Sequence, residues 1–429
     1  MKSLLTVILA ISTLTGLAQN ALRGNAARME ERILALGRFG ANPEGGVSRV
    51  AYSEADKAGR AYVMGLMKAA KLEVSIDAAG NIIGKRKGQD NALPVIAFGS
   101  HIDSVPGGGN YDGDVGSLGA IECIELLNEG KIMTQHPLEV IIFQNEEGGL
   151  VGSEAICGIL PPATLDLVSN SGKTIRQGTL DIGGNPEKIF EAIRKKGYYK
   201  AFLELHIEQG GILDKTGVNI GVVEGIVGIN QWEVTITGKA NHAGTTPMNQ
   251  RQDAMLAAAK LTLAINQAAA GIPGRQVATV GKIRAEPGAP NVIPGKVVMS
   301  LEIRDLSHEK VISVFKIIQG QGKQIETETG TTIAYALTTE NMPAMTDKRI
   351  QEQITLAAKE LGFSSATMPS GAGHDSQDMA TIAPTGMIFV PSKKGVSHAP
   401  DEYTSPEDMA NGASVLLSTI LKLDRIKLP

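Results

Sequence analysis

The chain has 429 residues, of which 42% are hydrophobic and 20% charged, and a formal net charge of −4. That length exceeds what one core usually supports, so two domains are expected, and with no long basic run there is no electrostatic footprint for nucleic acid. The two cysteines, Cys123 and Cys157, exclude a disulfide framework and a cysteine-based zinc site and allow at most one bridge.

The chain opens on MKSLLTVILAISTLTGLAQN. Lys2, an apolar stretch from Leu4 to Leu14 and the small residues Gly16 and Ala18 match a secretory signal peptide. A membrane anchor or an ordinary first helix is the alternative, but the apolar run is short for a bilayer span. Cleavage is expected between Ala18 and Gln19, removing residues 1–18 and leaving a mature protein that is exported, periplasmic or secreted; without a signal it would be cytoplasmic. No later segment reads as a membrane span.

The amphipathic RMEERILALGRF then begins the mature fold, and Ser53 followed by Asp56 can cap a helix through SEADKAGRAYVMGLMKAAKL. Four short apolar runs follow along the chain, LPVIAFGS, LEVIIFQN, KAFLELHI and TGMIFVPS, each with a polar loop after it. Strands alternating with helices in this way predict an α/β sheet with helices on both faces. From about residue 226 the pattern changes: QWEVTITGK, a helix at QDAMLAAAKLTLAINQAAA, QVATVGKI, KVVMSLEIRD, a helix at HEKVISVFKIIQGQGKQIETE, and TTIAYALTT. That β-α-β-β-α-β order predicts a second, α+β domain over 226–344, inserted into a first domain formed by 19–225 and 345–429.

Fifty glycines make up about 12% of the chain, against a usual ~7%. Many sit beside His, Asp or Glu, as in GSHIDSVPGGGNYDGDVG at 99–116. His101 follows the apolar run Val95 to Phe98 and so stands at the carboxyl end of a strand, where open α/β sheets build their sites. Asp112 lies in the loop before a helix expected to begin near Ser117. A phosphate cradle is excluded, because the stretch has neither G-K-[ST] nor a correctly placed G-x-G-x-x-G; a metal loop and a structural turn both remain. The same situation recurs at other strand ends: Glu146 and Glu147 after VIIFQN, His206, Glu208 and Gln209 in ELHIEQ, and His398 after MIFVPS. Adjacent Glu146 and Glu147 should point in different directions, and a solvated glutamate pair is the plain alternative for them. Imidazole and carboxylate without thiolate suit Zn, Mn or Co, and five such ligands hold two metals if one carboxylate bridges.

Taken in order, GSHIDSV, GGGNYDGDVG, NEEGG, ELHIEQG, NHAGTTPM, PNVIPG, EIRD, SGAGHDSQDMA and GVSHAPDE span nearly the whole mature chain. Together they resemble the metal-dependent amidases of hydantoinase and carbamoylase type, relatives of the aminoacylases and dinuclear zinc aminopeptidases. The resemblance implies a mixed, mostly parallel sheet of zinc-aminopeptidase type with an inserted lid and dimerisation domain. It also implies two divalent ions per subunit: Asp112 bridges them, His101 and His206 complete one, and Glu147 and His398 the other. The carboxylate of Asp103 would fix the tautomer of His101, and Glu146 would be the general base. His242, from the inserted domain, would stabilise the oxyanion in a partner subunit's site. Arg304 would take the substrate carboxylate through its two-donor fork, and Gln209, Gln231, Asn291 and His374 complete the substrate set.

The family cleaves linear ureido compounds, and N-carbamoyl-L-amino acids are the first expectation, with allantoate and 3-ureidopropionate as alternatives. Allantoate-cleaving members tend to carry arginine before the aromatic that opens the lid; here the pair is Gln231-Trp232, a departure that weighs against allantoate. The implied partner is a second copy of the chain, joined through the inserted domain. An exported peptidase-like relative is a further possibility. A non-catalytic exported binding protein is the alternative from another class, and the intact ligands and Glu146 argue against it. His136 and His308 match no motif and are expected at the surface, as are Lys393 and Lys394.

Overall fold

The computed structural model describes residues 22–427, so the segment read as a signal peptide lies outside the described residues. Among the described residues no helix is long and apolar enough to cross a membrane. The chain divides into two units, one running to Glu224 and resuming at Thr346, the other Gly225–Met345. In chain order, β1 (Glu73–Ile76), β2 (Ile82–Arg86), β3 (Val95–His101), β4 (Leu138–Phe143), β5 (Tyr199–Ile207) and β6 (Ile220–Ile226) come first. The insertion holds β7 (Gly228–Thr237), β8 (Asn241–His242), β9 (Val277–Thr279), β10 (Ile283–Glu286), β11 (Val292–Ile293), β12 (Lys296–Asp305), β13 (Thr332–Asn341) and β14 (Ala344–Met345). The returning chain adds β15 (Ser365–Ser370) and β16 (Thr385–Val390).

In the first unit β4, β3, β5 and β16 lie side by side and parallel. β2 and then β1 extend the sheet antiparallel on one side; β6 does so on the other, with β15 paired to it. Side chains of a strand alternate between faces, and a sheet covered on both faces must be apolar on both. Accordingly Ile96, Phe98, Leu138, Val140 and Ile142 join one core with Leu118, Ile121, Leu416 and Ile420. Their neighbours Val95, Ala97, Ile141 and Phe143 pack on the other face with Phe202, Cys157 and Met379. Helix Asp114–Glu129 lies so close to β5 that a Cβ on Gly116 would fall 2.0 Å from the carbonyl oxygen of Leu205.

Ser53 caps helix Glu54–Ala69 by accepting the Asp56 N–H. The helix expected near Ser117 begins instead at Asp114, because Gly113, at φ +66, turns the chain into it three residues earlier. Both cysteines are free and buried. His136 is buried rather than at the surface: its Nδ1 donates to the Pro94 carbonyl at 2.7 Å, and Lys200 Nζ lies 2.9 Å from its Nε2.

The inserted unit is an antiparallel sheet of order β10-β12-β7-β13, with β9 also on β12. Residues of β12 alternate strictly, Val297, Met299, Leu301 and Ile303 entering the core and Ser300, Glu302 and Arg304 facing away from it. The core is closed by helices Ala254–Ala270 and His308–Thr329, through Ala257, Leu261, Val314 and Ile318. QVATVGKI forms two strands, β9 and β10, because Lys282 exchanges hydrogen bonds with the main-chain N–H and hydroxyl of Ser300 at the break. The short β8–β11 pair went unseen in the sequence, since two-residue strands carry no periodicity.

Candidate metal centre

The parallel arrangement of β4, β3, β5 and β16 puts their carboxyl ends at one edge of the sheet, which is where the polar loops converge. His101 is the last residue of β3 and His206 the penultimate residue of β5. Glu146 and Glu147 follow β4, and His398 lies in the loop beyond β16. Asp112 comes from the glycine-rich loop after β3. Among the described residues three groups of potential ligands result, His101–Asp112–His206, Asp112–Glu147–His398 and Glu204–His206–His374; Asp112 is common to the first two and His206 to the first and third.

The Asp112 carboxylate is divided between the first two. Its Oδ1 lies 3.1 Å from His206 Nε2 and 3.6 Å from His101 Nε2, and its Oδ2 lies 3.3 Å from His398 Nε2. Glu147 Oε1 is 3.4 Å from His398 Nε2, whereas Glu146 Oε2 is 3.8 Å from His101 Nε2, so the adjacent glutamates face different histidines. Asn145 makes this possible by taking a positive φ of 54° at the end of the strand. Gly113 leaves room for the imidazole of His101, since a Cβ there would fall 2.3 Å from its ring.

The histidine tautomers are set by main-chain carbonyls. His101 Nδ1 lies 3.0 Å from the Asp103 carbonyl and His206 Nδ1 2.9 Å from that of Ile207, so both rings turn Nε2 toward Asp112. Asp103 thus reaches His101 through its main chain, while its carboxylate oxygen is 3.8 Å from Nδ1. That carboxylate instead accepts the N–H groups of Glu146 (3.2 Å) and Glu147 (3.1 Å), fixing the turn that carries both.

Burial works against the charge of Asp112, yet His206, His101 and His398 hold its carboxyl well below the usual range. Burial pushes Glu146 well up, reinforced by Asp375, Glu147 and Asp103, and raises Glu147 with help from Asp112. The hydrogen bond to Asp112 lifts His398 to about 9. His101 Nε2 and Glu147 Oε1 are buried without a hydrogen-bond partner. Buried polar atoms of a native protein are ordinarily satisfied, so an imidazole nitrogen and a carboxylate oxygen left without partners on either side of Asp112 fit a cation.

Of the expected substrate residues, Gln209 lies at the cluster, donating from Nε2 to Asp112 Oδ2 at 2.7 Å. His374 is enclosed, with Nε2 on the Ser370 hydroxyl at 2.8 Å and its ring 4.5 Å from that of His206. Within the inserted unit, β8 and β11 bring His242 and Asn291 together, the Ala243 N–H donating to the Asn291 carbonyl at 3.0 Å. Both residues are exposed. Gln231 and Arg304 share Glu302: Gln231 Nε2 donates to one of its oxygens and Arg304 Nε to the other, each at 2.7 Å.

Two buried glutamates beside these residues went unread in the sequence. Glu204, on β5, accepts from the Ser100 hydroxyl at 2.8 Å and from Ser376. Glu402 accepts from the loops of both Asp112 and His398. Glu204 could have been flagged as an acid inside an apolar strand; Glu402, in a polar loop, gave no such signal.

Residues 97–422 match the model of Peptidase family M20/M25/M40. The N-carbamoyl-L-amino acid amidohydrolase of Geobacillus stearothermophilus is 39% identical over 92% of this chain and 98% of its own length. The ureidoglycolate hydrolase of Arabidopsis thaliana is 38% identical over 94% of this chain and 88% of its own. The crystal structure of a hydantoinase/carbamoylase family amidase from Burkholderia multivorans superposes with a TM-score of 0.86 at 33% identity, covering 95% of this chain and 100% of that one. With the His/Asp/Glu clusters at the strand ends, these matches show that the chain belongs to Peptidase family M20/M25/M40, in its hydantoinase/carbamoylase amidase branch, and is a hydrolase of carbon–nitrogen bonds other than peptide bonds.

Proposed function

We propose that the protein binds two divalent cations, Zn, Mn or Co, through His101, Asp112, Glu147, His206 and His398, and hydrolyses linear ureido compounds, N-carbamoyl-L-amino acids first among them. The observation that carries this reading is the division of the Asp112 carboxylate, one oxygen toward His101 and His206 and the other toward His398. Bound by these five residues, divalent cations would supply polarisation of the scissile carbonyl and a lowered pKa for the attacking water. Glu146 is the carboxylate left over; it takes the water's proton and returns it to the leaving nitrogen. Burial and neighbouring carboxylates raise its proton affinity, which suits a group that must hold a proton between the two steps. Asp103 keeps Glu146 and Glu147 in register through their main-chain N–H groups.

The relatives' names support the substrate class, and ureidoglycolate is a second reading, favoured by the similarity to the Arabidopsis enzyme. Gln231 in place of arginine weighs against allantoate. The roles of His242 at the oxyanion, of Arg304 and Asn291 on the substrate, and of a homodimer that brings His242 to its partner's site rest on the family resemblance alone. Export rests on the N-terminal segment, and sequencing the N-terminus of extracellular or periplasmic protein tests it.

The test of function is a substrate panel after chelation, with Mn, Zn or Co restored and release of ammonia or free amine followed. N-carbamoyl-L-amino acids should be cleaved best, and only with metal. Full activity in metal-free protein contradicts the two-cation reading, and preferred cleavage of ureidoglycolate or allantoate overturns the substrate.

A further inference from the structure

The two proposed cation sites are not supported alike. His101 and His206 stand on β3 and β5, central strands hydrogen-bonded along both sides. Asp112 and His398 stand on loops, and His398 takes a φ of +54°, a conformation that a residue with a side chain holds only where its surroundings require it. Something outside the strands must therefore fix these two loops against each other.

Glu402, buried between His398 and helix Pro406–Arg425, has the geometry for this. Its Oε1 accepts the main-chain N–H groups of Tyr111 at 2.8 Å and Asp112 at 3.0 Å. Its Oε2 accepts the main-chain N–H of His398 at 3.2 Å and the Ser397 hydroxyl at 3.0 Å. The same hydroxyl lies 2.9 Å from Asp112 Oδ2. One carboxylate thus gathers three main-chain N–H groups, and a hydroxyl that it shares with Asp112, from two loops almost three hundred residues apart in the chain. An amide could not replace it, because the NH2 group would face N–H donors on one side.

The fold makes room for this contact. A Cβ on residue 109 would fall 2.1 Å from Glu402 Oε1, so only glycine lets the loop before Asp112 come this close. Next to it, the rings of Tyr111 and Tyr403 meet edge to face at 5.4 Å.

We propose that Glu402 is a positioning residue that holds the Asp112 and His398 loops at the spacing the Glu147–His398 cation requires, so that its loss weakens that cation selectively. The proposal rests on the two-cation reading. Partners behind metal ligands typically contribute about 10- to 100-fold in metal affinity, and a loss of that size is expected for the second cation alone. The group is a tether and needs no contact with substrate.

The experiment measures Mn2+ bound per chain by equilibrium dialysis and elemental analysis, for the full-length wild type, E402Q and S397A, alongside thermal melting. Wild type should bind two ions. E402Q should retain one at free Mn2+ where wild type retains two, and regain the second, with its turnover, as Mn2+ is raised. S397A, which deletes one donor, should shift the same ion in the same direction by less. Two ions in E402Q at wild-type affinity overturn the proposal, and so does parallel loss of both ions. If E402Q does not fold, S397A decides: a weakened second ion upholds the proposal and an unchanged one overturns it. If wild type itself binds fewer than two ions, the two-cation reading has failed and the proposal falls with it, which separates the two failures.

Discussion

In the first unit, every proposed ligand already faces another: Asp112 is within 3.6 Å of three histidines, and Glu147 is 3.4 Å from His398. In the inserted unit, His242 and Asn291 are exposed, and Arg304, half-buried, is paired with Glu302 on the face of β12 turned from the core. The contrast separates two ways of building a functional residue. Strand ends and buried carboxylates set the candidate ligands facing one another before any ligand arrives, which is what metal chemistry demands. His242 and Asn291 on an exposed turn, and Arg304 on the face of the sheet turned from the core, are not gathered on a common buried centre, and their proposed work begins when substrate is present.

Substitution of a proposed ligand in the first unit should therefore cost metal, whereas substitution of His242 or Arg304 in the second should weaken substrate handling at full metal content. Asp112→Ala, which removes the shared ligand, should abolish turnover and release both cations, as seen by metal analysis of the dialysed protein. A variant that keeps one ion would show that the two sites are independent. Glu146→Gln should lower kcat by about 10²- to 10⁴-fold while both ions stay bound; loss of metal instead would mean that Glu146 and Glu147 have exchanged roles. His242→Ala should lower kcat by about 10²- to 10³-fold and Arg304→Ala should raise KM by about tenfold or more, both with two ions per chain. A changed metal content in either would erase the contrast. Mixing His242→Ala with Glu146→Gln subunits should restore activity if His242 serves a partner's site. His308→Ala is the control: half-buried on its helix, with Nε2 3.7 Å from Glu340, it should move stability by no more than about 0.5 kcal/mol and leave turnover and metal unchanged.

What could be read from the sequence follows the same division. The apolar runs before His101, Glu146, His206 and His398 announced buried parallel strands, and parallel strands bring such residues to one edge whatever the loops do. Asp112 was legible because glycines on both sides let a loop carry a carboxylate against a histidine. Glu402 was not, since its partners lie almost three hundred residues away in the chain and nothing near it separates it from a solvated glutamate. His136 was misplaced for a related reason: a lone histidine in a polar stretch gives no sign that Pro94 and Lys200 will enclose it. Asp103 was given the right neighbourhood but the wrong group, because the choice between a carbonyl at 3.0 Å and a carboxylate at 3.8 Å depends on a turn that spacing does not determine. In the inserted unit the long strands and helices were plain from their periods, and the short β8–β11 pair beneath His242 was not.

The central claim is that one carboxylate joins two cations at these strand ends, and anomalous diffraction from crystals soaked in Mn2+ or Zn2+ tests it most directly. Two peaks are predicted, both bonded to Asp112, one about 2.0–2.2 Å from His101 and His206 and the other at similar distance from Glu147 and His398. A single peak, or a peak that leaves Asp112 bound to one ion only, would contradict it.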